Sequence, residues 1–366
     1  MNTNFTDAKF ITQIIKEPEL VIDQLNLVYV KDDALIITRL KHKKSFQYLL
    51  NGKTLSTEKD LERIKKIVIP PAWNHVRIAA IDNGHLQAIG RDLKNRKQYR
   101  YHPLWNTIRN QTKFYKMAVF GRQLSKIRKQ VDQDLEQKNW SKTKVLALII
   151  RLMEETHIRI GNEQYAKRNK TYGLSTMRTR HVNIEKDNLK FEFVGKKGKK
   201  HSITLRNKKL IRLVNRCEEI PGWELFQYYD QQGEKHSIES SMVNKYLHEI
   251  GGDLFTAKDF RTWGATTIFF ETLMDLGIST KEKEIQKNIL KAYDMAAASL
   301  GNTRNVCRKY YVHPFIESSY KDGSIKKVFN KINTSNQSAD YFTNTEHAIL
   351  NLLTDYTPTF LKNIEE

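Results

Sequence analysis

The sequence predicts an α+β protein: a small antiparallel sheet domain at the amino end, followed by a larger, mainly helical domain that contains one β-hairpin. Three observations carry this. The first hundred residues hold short β-branched runs punctuated by Gly and Asn; apolar spacing changes to three and four near residues 100 to 105; and a single stretch inside the helical part, Asn188 to Arg206, alternates apolar and polar on both sides of a Gly-Lys-rich turn. The resulting division is residues 1–102, 103–320 and a tail, 321–366.

In chain order, the runs LVYV, ALIITRL, VRIAAI and HLQAIG, parted by the turn signals NGK and DNGH, read as strands, with a helix over Thr57 to Ile67. After the word IPPAW and the basic stretch GRDLKNRKQYRYHPLW come two long helical segments, KFYKMAVFGRQLSKIRKQVDQDLEQ and KTKVLALIIRLMEETHIRIGNEQYAKR. Beyond the hairpin, SSMVNKYLHEI, TWGATTIFFETLMDL and EKEIQKNILKAYDMAAASL read as helices, Thr256 as an N-cap and Gly301 as a C-cap. EHAILNLLTDY predicts an accessory helix in the tail.

Composition narrows the partner. Lys and Arg number 62 against 41 acidic residues, a net charge of +21. Such an excess repels itself in a compact chain and suits a polyanion whose counterions it displaces, which favours nucleic acid. The longest apolar run, Val145 to Ile150, is far shorter than a bilayer span, and the amino end lacks a basic n-region followed by an apolar stretch. Two cysteines, Cys217 and Cys307, are too few for a disulfide framework or a metal cluster. The expectation is a cytoplasmic, nucleoid-associated protein with no membrane partner, no metal and no cofactor.

Candidate functional residues fall in two groups. In the basic stretch, Lys97 and Arg100 flank Gln98, Tyr99 and Tyr101, cations for phosphates beside aromatic and amide groups that reach sugars and bases. Further along, Arg159 lies in IRIGNE at the end of an apolar helix, Lys196 at the hairpin tip in FVGKKGKK, Arg261 early in a helix in TAKDFRTWGAT, and Asn302 at a helix end in LGNT. Two adjacent phenols follow, Tyr310 and Tyr311. Each of these residues taken alone is equally a salt-bridge, capping or core residue.

Together, RIGNEQYAKRNKTYGLSTMRTRHV, FEFVGKKGKKH, GGDLFTAKDFRTWGAT and SLGNTRNVCRKYYVHP resemble, in order, the catalytic motifs of the bacterial and poxvirus-like type IB DNA topoisomerases. IPPAW and NGHLQAIGRDLKNRKQYRYHPLW resemble that family's DNA-clamping domain. The resemblance spans residues 20 to 316. It implies two domains forming a clamp around double-stranded DNA, a monomer, and relaxation of supercoils by transient single-strand cleavage. It also implies Tyr311 as nucleophile, Arg159 and Arg261 on the scissile phosphate, Lys196 as general acid, Asn302 as a further phosphate ligand, and Gln98, Tyr99, Tyr101 and Tyr165 as DNA contacts.

Those residue types suit that chemistry. Attack of a phenol on a phosphodiester builds charge on the non-bridging oxygens, which guanidinium forks and an amide donor stabilise. The departing 5′-oxygen needs a proton, which a lysine supplies if its pKa falls from about 10.4. Exchanging one phosphodiester for another conserves the bond, and the chain has no G-x-x-x-x-G-K-[ST] loop for ATP. Tyr310 stands where the family usually carries a small residue, and RTWGAT swaps two small residues relative to the family order; His313 reads as a structural or phosphate contact rather than a general base, and Cys307 as packing. The alternatives are a tyrosine site-specific recombinase, against which the missing late H-x-x-R word argues, and a non-catalytic DNA-binding protein on the same scaffold.

Overall fold

The computed structural model describes residues 8–43, 45–185, 187–334 and 341–362. They form two compact units, one comprising Met1–Tyr115 with Thr357–Glu366, the other Lys116–Tyr356. The architecture is α+β, with a six-stranded antiparallel sheet in the first unit and two smaller antiparallel sheets in the second.

In the first unit, α1 (Ala8–Lys16) precedes β1 (Ile37–His42), β2 (Ser45–Leu50), β3 (Lys53–Thr54), α2 (Glu58–Ile67), β4 (Asn74–Ile78), β5 (Leu86–Arg91) and β6 (Lys97–Tyr101). The strands make one six-stranded sheet in the order β3-β2-β1-β4-β5-β6, every pairing antiparallel. Strand β5 is buried on both faces, as its unbroken apolar run requires. Ala88 joins Ile37, Val76, Ile78 and Ile64 of α2 on one side, and Leu86 and Ile89 join Val30, Leu35 and Ala79 on the other.

Two local features organise this unit. Arg39 of β1 donates to the carbonyls of Ile69, Pro70 and Trp73 at 3.4, 3.1 and 2.7 Å, which fixes the IPPAW segment against the sheet. LVYV forms no strand: Leu27 and Val30 are buried, but Val28 makes only an isolated parallel bridge to Gly84, and the Val30 N–H that would extend the ladder donates instead to the His85 Nδ1 at 3.0 Å.

Helix α3 (Pro103–Leu135) contains the division between units and begins nearly three turns earlier than its apolar spacing suggests, with Pro at its first position and the His102 Nδ1 accepting the Leu104 N–H. In the second unit follow α4 (Lys142–Thr156), α5 (Glu163–Asn169), β7 (Val182–Glu185), β8 (Asn188–Val194), β9 (Lys200–Leu205), α6 (Lys208–Glu218), β10 (Gln227–Tyr229), β11 (Lys235–Ser237), α7 (Ser240–Gly251) and α8 (Ala257–Leu276). The chain then forms α9 (Glu282–Leu300), α10 (Arg304–Tyr310), α11 (Pro314–Lys321), α12 (Lys326–Thr334) and α13 (Asn344–Thr354).

Helix α4 is the core of this unit, with Val145 to Ile150 buried around its whole circumference, as a helix apolar on all sides must be. Helix α8 is almost as deeply buried, and Phe260 and Trp263 pack with Phe120 of α3. The predicted hairpin is β8–β9, extended by β7 into a three-stranded sheet that the sequence pattern did not reveal. The small hairpin β10–β11 was also missed; its strands are only three residues long, too short for alternation to stand out.

Candidate active site

Helix α8 supplies the most buried charge of the site. Its start is fixed by Asp259, whose carboxylate accepts the Thr256 N–H at 2.8 Å and the Thr256 hydroxyl at 3.1 Å, in keeping with Thr256 as N-cap. This puts Arg261 in the second turn, 4% exposed. Its guanidinium donates through Nη2 to the carbonyl of Leu300, the last residue of α9, at 2.9 Å, and through Nη1 to the carbonyl of His157. A cation bonded to the carbonyl end of a helix is favoured by the helix dipole as well as by the hydrogen bond. Burial and then the neighbouring Arg159 push its pKa down to about 10, which still leaves it charged at neutral pH. Its Nε is buried without a hydrogen-bond partner.

The sequence reading placed Arg159 on one helix running through IRIGNE. The structure breaks that helix: α4 ends at Thr156, His157 is left-handed at φ 53°, and α5 starts afresh at Glu163 with Asn162 Oδ1 accepting the Tyr165 N–H at 3.2 Å. Arg159 therefore sits on the irregular connection between α4 and α5, where its Nη2 donates to Asn302 Oδ1 at 2.6 Å. Asn302 follows the α9 C-cap Gly301, whose φ of +61° favours glycine, and its own N–H returns to the Ala297 carbonyl at 2.9 Å. The second amide atom, Nδ2, is buried with no hydrogen-bond partner beside the Cys307 thiol, which burial pushes up in pKa.

The two tyrosines have opposite surroundings. Tyr310 ends α10, 42% exposed, with Lys309 Nζ 5.5 Å from its ring centroid. Tyr311 caps that helix, half-buried, its ring centroid 5.4 Å from the Arg261 guanidinium carbon. Burial alone would push the Tyr311 pKa up, but the charges of Arg261 and Arg159, a hydrogen bond with Arg261 and the charge of Lys258 together outweigh it, so the phenol lies below its ordinary value. The buried Thr266 of α8 anchors the backbone here, donating to the Tyr311 carbonyl at 3.3 Å and accepting the His313 N–H at 3.1 Å. One helix thus carries both Arg261 and the anchor of Tyr311.

Lys196 lies exposed at the hairpin tip, at the mouth of a small cleft lined also by Arg159, His201, Arg261 and Leu300. Arg159, Lys196, Arg261, Asn302 and Tyr311 are thereby drawn to one place from five different chain segments.

The residues predicted for DNA contact do not all share a face. Along β6, alternation sends Lys97, Tyr99 and Tyr101 one way, with the Tyr99 and Tyr101 rings stacked at 5.9 Å and Lys97 5.2 Å from the Tyr99 centroid. Lys97 is ion-paired with Asp32, and Tyr101 is half-buried under Arg109. Gln98 donates to Asp92 at 3.0 Å, and Arg100 donates to the Val68 carbonyl at 2.5 Å and lies 6.0 Å over Trp73. Tyr165 belongs to the second unit, 52% exposed on the first turn of α5.

Sequence comparison bears on the whole arrangement. Residues 97–339 match the family described as eukaryotic DNA topoisomerase I, catalytic core, and residues 45–92 the bacterial DNA topoisomerase IB N-terminal domain. A DNA topoisomerase 1B of Acanthamoeba polyphaga mimivirus is 34% identical over 286 residues, covering 76% of this chain and 85% of the relative. The chain belongs to the type IB DNA topoisomerases. More distant relatives are the DNA topoisomerase 1 of rabbit fibroma virus (strain Kasza), 27% identical over 70% of this chain and 81% of the relative, and the DNA topoisomerase 1B of vaccinia virus (strain Copenhagen), 21% identical over 66% and 75%.

Around this candidate site, sequence reasoning overlooked four neighbouring residues. Thr266 and Lys258 lie inside the quoted word around Arg261; the periodicity of α8 offered a signal only for burial, not for what Thr266 bonds. His157, whose carbonyl holds Arg261, has its ring seated on α8, where a Cβ on Gly264 would come within 2.5 Å of it. His201 closes the hairpin word and lines the cleft.

Proposed function

We propose that this topoisomerase relaxes supercoiled double-stranded DNA as a monomer, without ATP or metal, by a strand break that it makes and reseals through Tyr311. The Tyr311 phenol releases its proton to water and its oxygen attacks a backbone phosphorus, forming a 3′-phosphotyrosyl bond as the P–O bond to the 5′-oxygen breaks. The free end rotates, and the 5′-hydroxyl then attacks the phosphotyrosine to restore the backbone. Arg159, Arg261 and the Asn302 amide donate to the non-bridging oxygens, where charge grows most in the transition state. Lys196 gives the 5′-oxygen its proton as it leaves.

The observation that carries this reading is the gathering of Tyr311 with two guanidinium groups that favour its ionised form, alongside two buried donor atoms, Arg261 Nε and Asn302 Nδ2, that meet no well-placed acceptor among the described residues. Further support is the low cost of ester exchange, which needs no external energy source. For binding, we assign Lys97, Gln98, Tyr99, Arg100 and Tyr101 of the first unit and Tyr165 of the second to the duplex, in the DNA-containing compartment of the cell. Among the described residues no helix is long and apolar enough to cross a membrane.

The decisive experiment incubates supercoiled plasmid with the protein in EDTA without ATP. Relaxation is expected for the wild type and for Tyr310→Phe, while Tyr311→Phe should neither relax the plasmid nor be captured covalently on DNA. Covalent capture by the Tyr311→Phe variant would reassign the nucleophile to another phenol.

A further inference from the structure

His201 is the second residue of β9, and its ring stacks on Phe193 of β8 at 5.0 Å and 12°. Two glycines close on that ring from different elements. A Cβ at Gly195 would lie 2.7 Å from both Cδ2 and Nε2, and a Cβ at Gly301 would lie 2.4 Å from Cε1 and 2.9 Å from Nδ1. Carbon atoms do not approach that closely without displacing something. At Gly195 the backbone, at φ −96°, is open to any residue, so contact with the imidazole is the reason for glycine there. Gly195 immediately precedes Lys196, and Gly301 immediately precedes Asn302.

We propose that His201 is a positioning residue that sets the spacing between the hairpin tip carrying Lys196 and the α9 end carrying Asn302. The proton donor is thereby held at a fixed place relative to the groups that grip the phosphate. This rests on the reading of Lys196 as general acid. The environment fits a spacer: burial, then Arg159, Lys199 and Arg261 hold the imidazole pKa below its ordinary value, so near neutral pH the ring adds no positive charge to an already cationic cleft. The contacts that fix it are stacking on Phe193 and the two glycine seats. An ammonium on a flexible stem at an exposed tip gains most from such a brace, because a displacement of about 1 Å in a reacting group can cost on the order of 100-fold in rate.

The test is single-turnover cleavage of a DNA substrate, made with either an ordinary linkage or a sulfur at the 5′-bridging position, whose thiolate leaves without a proton. The variants are His201→Ala, Gly195→Ala, the double variant and Lys196→Ala. His201→Ala should cleave roughly 10- to 100-fold more slowly with DNA affinity little changed, and the bridging sulfur should recover most of that loss, as it should for Lys196→Ala. Gly195→Ala should also be slow, and the double variant no slower than His201→Ala, because both changes disturb one seat. If His201→Ala does not fold, Gly195→Ala alone carries the test and must be slow and relieved by sulfur.

The proposal is overturned if a folded His201→Ala cleaves at the wild-type rate, if its defect ignores the bridging sulfur while that of Lys196→Ala responds, or if the two losses multiply in the double variant. Wild-type cleavage by Lys196→Ala would remove the reading of the lysine itself, and this proposal with it.

Discussion

Replacing Glu346 with alanine should destabilise the second unit by about 3 to 5 kcal/mol, the range expected when one partner of a buried ion pair is removed. The carboxylate of this α13 residue is 6% exposed and accepts the Arg128 fork at 2.8 and 2.6 Å, the Trp263 indole N–H at 3.0 Å and the Thr343 N–H at 3.1 Å. Removing it leaves the Arg128 guanidinium, itself 14% exposed, with Glu154 at 2.7 Å as its remaining carboxylate and the indole N–H without its acceptor. The orphaned indole alone costs about 1 kcal/mol or more, and Glu154 limits the loss at Arg128. At roughly 2 to 4 °C per kcal/mol for a domain of this size, the melting temperature should fall by about 6 to 20 °C. Denaturant titration with an unchanged m-value would assign the change to stability. A loss below about 1 kcal/mol would refute the reasoning, since it would mean that the charge network is not desolvated as drawn. A paired Arg128→Met and Glu346→Leu variant should lose less than Glu346→Ala, because the buried guanidinium goes with its carboxylate and Glu154 still holds Arg151 at 3.1 Å.

Other outcomes follow from single contacts. Thr266→Val keeps the shape but removes the buried hydroxyl that accepts from the His313 N–H and donates to the Tyr311 carbonyl, so we expect a stability loss of about 1 to 3 kcal/mol and slower cleavage from a less firmly held Tyr311; an unchanged melting temperature and cleavage rate would exclude the anchor. His157 has its pKa lowered to about 4 by burial and then by Arg261. Because the folded value lies below the unfolded one, the unfolded chain binds the extra proton between about pH 6.5 and 4, and stability falls as pH drops through that window, by up to about 1.4 kcal/mol per pH unit. Denaturation series at several pH values should show a shallower slope for His157→Gln than for the wild type, and equal slopes would remove the contribution. Asp32→Asn frees Lys97 from its ion pair and should tighten DNA binding and steepen its salt dependence by about one unit of slope; unchanged binding would show that Lys97 does not reach the duplex.

Much of the fold was legible because its signals are local. The alternating runs of the amino-terminal sheet, the glycine that caps α9 and the periodicity of α8 each follow from a few adjacent residues. LVYV looked like a strand for the same reason and is not one, because ladder partners are not written in a run's own residues. Within the site, the broken helix before Arg159 was illegible: the apolar spacing continues through Ile158 and Ile160, and only the left-handed turn at His157, closed by packing on Gly264, interrupts it.

By itself the sequence determined the fold class, the family and a short set of residues capable of phosphodiester exchange, since residue type and order suffice for those. Tertiary structure alone decided which tyrosine meets the two arginines. The two phenols are neighbours in the chain, and only the end of α10 turns one toward Arg261 and leaves the other at the surface. It decided equally that the tail helix is a structural part of the second unit, bonded through Glu346 to the helix that carries Arg261. Spacing along the chain says which side chains exist, but desolvation, electric field and close contact depend on distances in space, and those arise only when remote segments pack together.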